Sequence, residues 1–186
     1  MRIIGGDFRG RKLASVGQGD AAAQLRPTAD RVRESLFNVL GGTYGMPSGD
    51  SRVLDLFAGT GALGLEALSR GAAEVTFVEN GRKALDLLNQ NIALCRAEAK
   101  TLILRRDARR IGPVTGLAYD LVFMDPPYAR GLGEQALAAA LEGGWVAPGA
   151  VVIWEESARI VPPAGLRQCD ARRYGDTTIT IFERVA

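Results

Sequence analysis

At 186 residues, 47% of them hydrophobic and 24% charged, the chain is one domain long, with core enough to need no disulfide or metal staple. It has no histidine and only two cysteines, Cys95 and Cys169, which excludes serine-histidine and cysteine-histidine catalysis, histidine metal sites and a structural zinc. The net charge of +2 is uneven: residues 1–33 carry seven Lys/Arg against three Asp/Glu and the remainder sixteen against eighteen, so an anionic partner is expected at the N-terminal end.

Met1–Asp7 is too short and too polar for a signal peptide, and no apolar run is long enough to span a membrane. A cytoplasmic protein, monomeric and without metal, is expected. Arg2, Arg9, Arg11 and Lys12 lie among Gly5, Gly6 and Gly10 and predict a basic hairpin or extended arm. Residues 14–25, polar and without period, read as a loop. Pro27 opens a helix with Thr28 as its cap, and Gly41-Gly42 ends it. Val32, Leu36, Val39 and Leu40 form one buried face, leaving Arg26, Arg31 and Arg33 to face phosphates.

From there the pattern alternates. Strand 52–57 leads to helix 61–70, strand 74–79 to helix 82–95, and strand 101–106 to Asp107. Strand 119–124 precedes a Pro-Pro turn, then helix 133–142 and strand 150–155. Two last strands, near 166–172 and 177–182, have no helix between them and predict an antiparallel hairpin at the sheet edge. The fold class is therefore α/β, a mainly parallel sheet built from βαβ units.

Two stretches carry chemistry. In Val53–Gly64, a buried strand runs into Gly59, Gly61 and Gly64, a G-x-G-x-x-G turn that lets backbone approach a ligand. Asp55 lies inside that strand, where an acid suits a positive ligand group better than a pyrophosphate. Glu79 closes the next strand, at the spacing expected of an acid that grips ribose hydroxyls. The second stretch is Asp125-Pro126-Pro127-Tyr128. Its acid and the Pro126 carbonyl accept hydrogen bonds, Pro126 has no competing N–H, and Tyr128 offers a face on which a flat base can stack. Asp55, Glu79, Asp107 and Asp125 all fall at or near carboxyl ends of predicted strands, where such sheets bind ligands. Four acids repel a polyphosphate. They suit a positive centre, a ribose and an adenine amine, which S-adenosylmethionine combines.

Three other readings stand beside this one: an amino-methyltransferase acting on adenine or on protein glutamine, whose tetrapeptide usually begins with Asn; a nicotinamide dehydrogenase, for which the chain lacks a substrate domain; and an RNA-binding protein without activity.

The blocks Met1–Gly6, Arg9–Leu13, Leu25–Thr28, Asp30–Asn38, Asp55–Ala67, Asp125–Tyr128 and Tyr174–Thr177 together resemble the RsmD family of bacterial small-subunit (16S) ribosomal RNA guanine-N2 methyltransferases, over nearly the whole chain. The resemblance implies a Rossmann-like class I methyltransferase fold, seven-stranded with one antiparallel strand. Residues 1–42 would be an extension contacting RNA through Arg9, Arg11, Lys12, Arg26, Arg31 and Arg33, and residues 43–186 the cofactor-binding domain. Asp55 and the backbone of Phe57, Gly59 and Gly61 would hold the methionine end of S-adenosylmethionine. Glu79 would take the ribose, and Asp107 with Ala108 the adenine; Asn80 would also line the cofactor site, although Asn80-Gly81 departs from the charged or bulkier pair that relatives often carry there. Asp125, Pro126, Pro127 and Tyr128 would hold the target guanine. The partner implied is 16S ribosomal RNA, within an assembling or assembled small subunit.

Overall fold

The protein is described from a computed structural model covering residues 1–15, 30–127 and 131–185. Its centre is a seven-stranded sheet in the order β3-β2-β1-β4-β5-β7-β6. The strands are β1 (Arg52–Leu56), β2 (Glu74–Val78), β3 (Thr101–Leu104), β4 (Tyr119–Met124), β5 (Val146–Glu156), β6 (Leu166–Tyr174) and β7 (Thr177–Arg184). β1 to β5 run parallel, while β7 runs antiparallel to both β5 and β6. β1 and β4 read as near-continuous apolar runs because helices cover both their faces.

Successive residues of a strand feed opposite layers. Val53, Phe77, Leu121 and Phe123 pack under α1 (Asp30–Val39), α2 (Ala62–Ser69) and α3 (Arg82–Cys95). Leu54, Leu56, Val122 and Met124 pack under α4 (Leu132–Glu142). α3 follows from its sequence, since Ala84, Leu88, Asn91, Ile92 and Cys95 recur at helical spacing and are its buried residues. In α2 every residue is buried, so that helix shows no amphipathic stripe.

The alternating elements stand where the pattern puts them, with differences at their ends. The strand expected over 101–106 stops at Leu104, and the one expected to begin at residue 150 begins at Val146. The first helix does not stop at Gly41-Gly42. It continues as a π turn over Leu40–Tyr44, and Gly45 ends it at φ +62°, donating its N–H to the Leu40 carbonyl. A left-handed residue is what closes a helix, and only Gly45 of the three glycines supplies it there. The expected start of this helix at Pro27 and Thr28 lies outside the described residues. The terminal hairpin forms as expected, joined by a two-residue turn with Gly175 at φ +62°. β7 then inserts between β5 and β6, leaving β6 on the edge.

The N-terminal arm is a hairpin with an Arg2–Lys12 bridge, and it shares the main core through Ile3 and Leu13. Among the described residues no helix is long and apolar enough to cross a membrane.

Candidate active site

The parallel register aligns Leu56 with Val78 and Met124, and Val78 with Leu104. The residues that follow, Phe57, Glu79, Arg105 and Asp125, therefore leave the sheet along one rim. The chain departs β1 and β4 toward opposite layers, which opens the crevice of a doubly wound sheet between them.

The turn after β1 is built from constrained backbone. Phe57 takes φ +60°, a left-handed conformation that costs a non-glycine residue about 1–3 kcal/mol and persists only where its surroundings enforce it. Gly59 and Gly61 follow at φ +56° and +79°. A Cβ on Gly61 would stand 2.4 Å from Leu88 Cδ1, and one on Gly64 would stand 2.4 Å from Phe77 Cε1. The third glycine thus serves the close seating of α2 on β2, and the second both the turn and its packing.

Asp55 points from β1 under this turn and accepts the Gly64 N–H at 3.0 Å. It is 2% exposed. Burial pushes its carboxyl up to about 8; the Gly64 hydrogen bond opposes that rise and the nearby Glu79 charge adds to it. Such a carboxyl is a receptor for positive charge, because a cation in the crevice would restore its ionised form. Among the described residues Glu79 is fixed by backbone: Oε2 accepts from Gly59 N–H at 2.8 Å, and Oε1 from Asn80 N–H at 2.9 Å and Gly81 N–H at 2.8 Å. It therefore ties the glycine turn to the start of α3. Asn80 itself is exposed.

Asp107 caps the short 3-10 turn Ala108–Arg110, accepting the Arg109 N–H at 2.9 Å. The Arg109 guanidinium chelates the same carboxylate, with Nη2 2.6 Å from Oδ2. The Arg109 side chain and N–H hold the carboxyl below its ordinary range. An amine ligand at Asp107 would share it with Arg109. Ala108 is buried beside it. Across the crevice Asp125 is half-buried, Pro126 buried and Pro127 half-buried. Tyr128 lies outside the described residues.

The cationic candidates divide. Arg9, Lys12 and Arg31 are exposed. Arg11 is half-buried, donates to the Leu94 carbonyl at the end of α3 at 2.9 Å and lies over the Phe8 ring. Arg26 is outside the described residues. Arg33 does not face phosphates. It is fully buried, donates to the Arg2 carbonyl and to Asp30 Oδ1, and burial lowers its pKa. The helical wheel placed it beside Arg31, but the arm folds across this side of α1 and takes Arg33 as an anchor.

Sequence reasoning missed the groups that seat the arm. Buried Glu66 on α2 accepts from Ile4 N–H at 2.8 Å, Gly5 N–H at 2.9 Å and Arg70 Nε at 2.8 Å. Ser69 bonds Phe8 N–H and the Gly5 carbonyl. Asn91 bonds both backbone groups of Ala14. The available signal was a polar residue at a core position: Glu66 within Ala62–Ser69, and Asn91 between Leu88 and Ile92.

Among the described residues no cluster of three or more His, Cys, Asp and Glu could hold a metal. The set does fit S-adenosylmethionine, with a buried raised-pKa acid under a glycine turn and further acids at the adjoining strand ends.

Residues 1–183 match the family model described as conserved hypothetical protein 95. The ribosomal RNA small subunit methyltransferase D of Escherichia coli (strain K12) is 41% identical over 189 residues, spanning 100% of this chain and 91% of that protein. Its namesake in Haemophilus influenzae is 40% identical over 159 residues, spanning 83% and 78%. The solved structure of yhhF from Escherichia coli superposes with a TM-score of 0.84 at 38% identity, covering 100% of this chain and 98% of that one. That of HI0767 from Haemophilus influenzae gives 0.79 at 30% identity, with 100% and 98% covered.

Proposed function

Since the chain belongs to the RsmD family, whose model carries the description conserved hypothetical protein 95, and is a methyltransferase with the Rossmann-like fold, we propose that it methylates the exocyclic N2 amine of a guanine in 16S ribosomal RNA. S-adenosylmethionine supplies the electrophilic methyl group. The observation that carries the reading is the rim itself. Asp125-Pro126-Pro127 stands at the end of β4, beside the strand whose glycine turn, with Asp55 and Glu79, makes a receptor for a cationic nucleoside.

In this reading Asp55 and the backbone of Phe57, Gly59 and Gly61 take the methionine end, Glu79 the ribose, and Asp107 with Ala108 the adenine, while Asn80 also lines the cofactor site. Asp125 and the Pro126 carbonyl accept the two N–H bonds of the guanine amine. That pairing draws the nitrogen toward a pyramidal shape and fixes its line of approach, and fixed orientation alone is worth several kcal/mol. The proton leaves to Asp125 or to water after transfer. Tyr128 stacks on the base, which must leave its helix to reach the crevice. Pro126 adds no N–H that would repel the amine.

Residues 1–42 contact the RNA backbone through Arg9, Lys12 and Arg31, with Arg11 and Arg26 nearby in sequence, and residues 43–186 carry the cofactor. The protein acts as a monomer, without metal, on the assembling or assembled small subunit in the cytoplasm. Mapping N2-methylguanosine in 16S RNA from cells with and without this protein tests the reading: one modified guanine should vanish with it and return when it is restored. An unchanged map would overturn the assignment.

A further inference from the structure

The Asn91 side chain bonds both the basic arm and the glycine turn. It sits fully buried on α3. Its Oδ1 accepts the Ala14 N–H at 2.7 Å, and its Nδ2 donates to the Ala14 carbonyl at 3.0 Å and to the Thr60 carbonyl at 2.9 Å. Both amide hydrogens and the oxygen are thus used, and the network fixes which way the amide faces, because a flipped group would set NH2 against the Ala14 N–H. Toward Ala14 the side chain behaves as a peptide unit, pairing with the N–H and C=O of one residue as a neighbouring strand would. Thr60 lies between Gly59 and Gly61, in the turn that Glu79 also holds.

We infer that Asn91 is a positioning residue that couples cofactor binding to the basic arm, through the Thr60 carbonyl on one side and the Ala14 backbone on the other. This rests on the glycine turn being the cofactor cradle. The physical reason is the geometry of one rigid amide serving two segments. A shift of the Thr60 carbonyl must either stretch a buried hydrogen bond, which is costly when nothing replaces it, or carry the amide and Ala14 along. The arm also meets the turn where Thr60 Oγ1 lies 4.0 Å from Met1 Sδ, a weak contact to a flexible thioether that leaves the Ala14 backbone untouched. Glu66 and Ser69 hold Ile4, Gly5 and Phe8 from α2 and bond no residue of the turn. By reciprocity, an arm ordered on RNA then favours the cofactor-competent turn by the same factor.

The test uses the whole chain and S-adenosylhomocysteine, which occupies the cradle without turnover. Residue-resolved amide hydrogen exchange is measured with and without it at saturation, after calorimetry has shown binding. The Ala14 amide is expected to slow by about fivefold or more, within the range of ordinary coupling free energies, while the Ile4 and Gly5 amides held by Glu66 change less than twofold. In Asn91→Leu, the Ile4 and Gly5 amides stay protected and Ala14 no longer responds. Binding with unchanged Ala14 exchange overturns the inference alone, and equal slowing of Ala14, Ile4 and Gly5 does so too, because the whole arm would then be tightened without Asn91. Absence of binding overturns the cofactor assignment and this inference with it. The unsubstituted chain decides the matter if the Leu variant fails to fold.

Discussion

Around the turn after β1, each acid is held by main chain: Asp55 by Gly64, and Glu79 by Gly59, Asn80 and Gly81. The RNA-facing candidates are of another kind. Arg9, Lys12 and Arg31 lie exposed on the arm and α1, where in the proposed role charge rather than fixed geometry would do the recognition. The first region is preorganised, so damage there reaches both stability and cofactor affinity. In the second, a phosphate needs only a cation near it, and damage appears in affinity and its dependence on salt.

The largest effect expected belongs to neither region but to Asp125, which follows β4 beside the end of β1. Asp125→Ala should lower single-turnover methyl transfer by about 100- to 1,000-fold, the scale of losing one aligned electrostatic partner. Cofactor affinity by calorimetry should stay within a few-fold. Turnover close to that of the parent would remove Asp125 from the reaction.

Asp55 sharpens the contrast on the cradle side. Its folded-state pKa of about 8 lies above the ordinary 3.8. Between those values the unfolded chain has released a proton that the folded chain keeps. This group's contribution is therefore fully present below pH 4, is lost as pH rises, and levels off above pH 8, at up to about 1.4 kcal/mol per pH unit. Asp55→Asn, with an oxygen still available to Gly64 N–H, should flatten the stability profile between pH 5 and 8 and weaken cofactor binding. Denaturant titrations at several pH values would show it, and parallel profiles for the two proteins would place the carboxyl in water.

Gly64→Ala probes the cradle by packing alone. With Phe77 Cε1 at 2.4 Å and Val75 Cγ1 at 2.8 Å from the new Cβ, α2 must move off β2. We expect a loss of about 1–3 kcal/mol in chemical denaturation. No loss would mean that the helix has slack there.

The smallest effects lie on the arm side, and they separate two arginines only two residues apart. Arg31→Glu should weaken RNA binding and lower the salt slope by about one to two units, with folding stability within about 0.5 kcal/mol of the parent. Arg33→Met should leave the slope alone and change the thermal midpoint, since that side chain is buried against the arm. Equal salt slopes for Arg31→Glu and the parent would move the RNA footprint off α1.

Arg33 also shows where local pattern stops. A helical wheel sorts residues by angle and cannot know that a hairpin from residues 1–13 will lie across one polar sector. Gly41-Gly42 is a similar case. Two glycines signal a stop, yet the helix runs on to Gly45, because helix ends are set by which backbone group finds a partner. The βαβ order, the acids at strand ends and the Asp125-Pro126-Pro127 corner were all legible, because period and turn chemistry are properties of neighbouring residues.

What the sequence determined by itself is thus the alternation of strand and helix, the glycine turn and the placing of Asp55, Glu79, Asp107 and Asp125 at or near strand ends. Tertiary structure alone decided that Glu66, Ser69 and Asn91 clamp the arm, that Arg33 is an anchor, and that Glu79 bonds the glycine turn. These contacts join residues 20 to 77 positions apart. Their energy comes from burying polar groups only where a distant partner satisfies them, and no local pattern encodes which partner arrives.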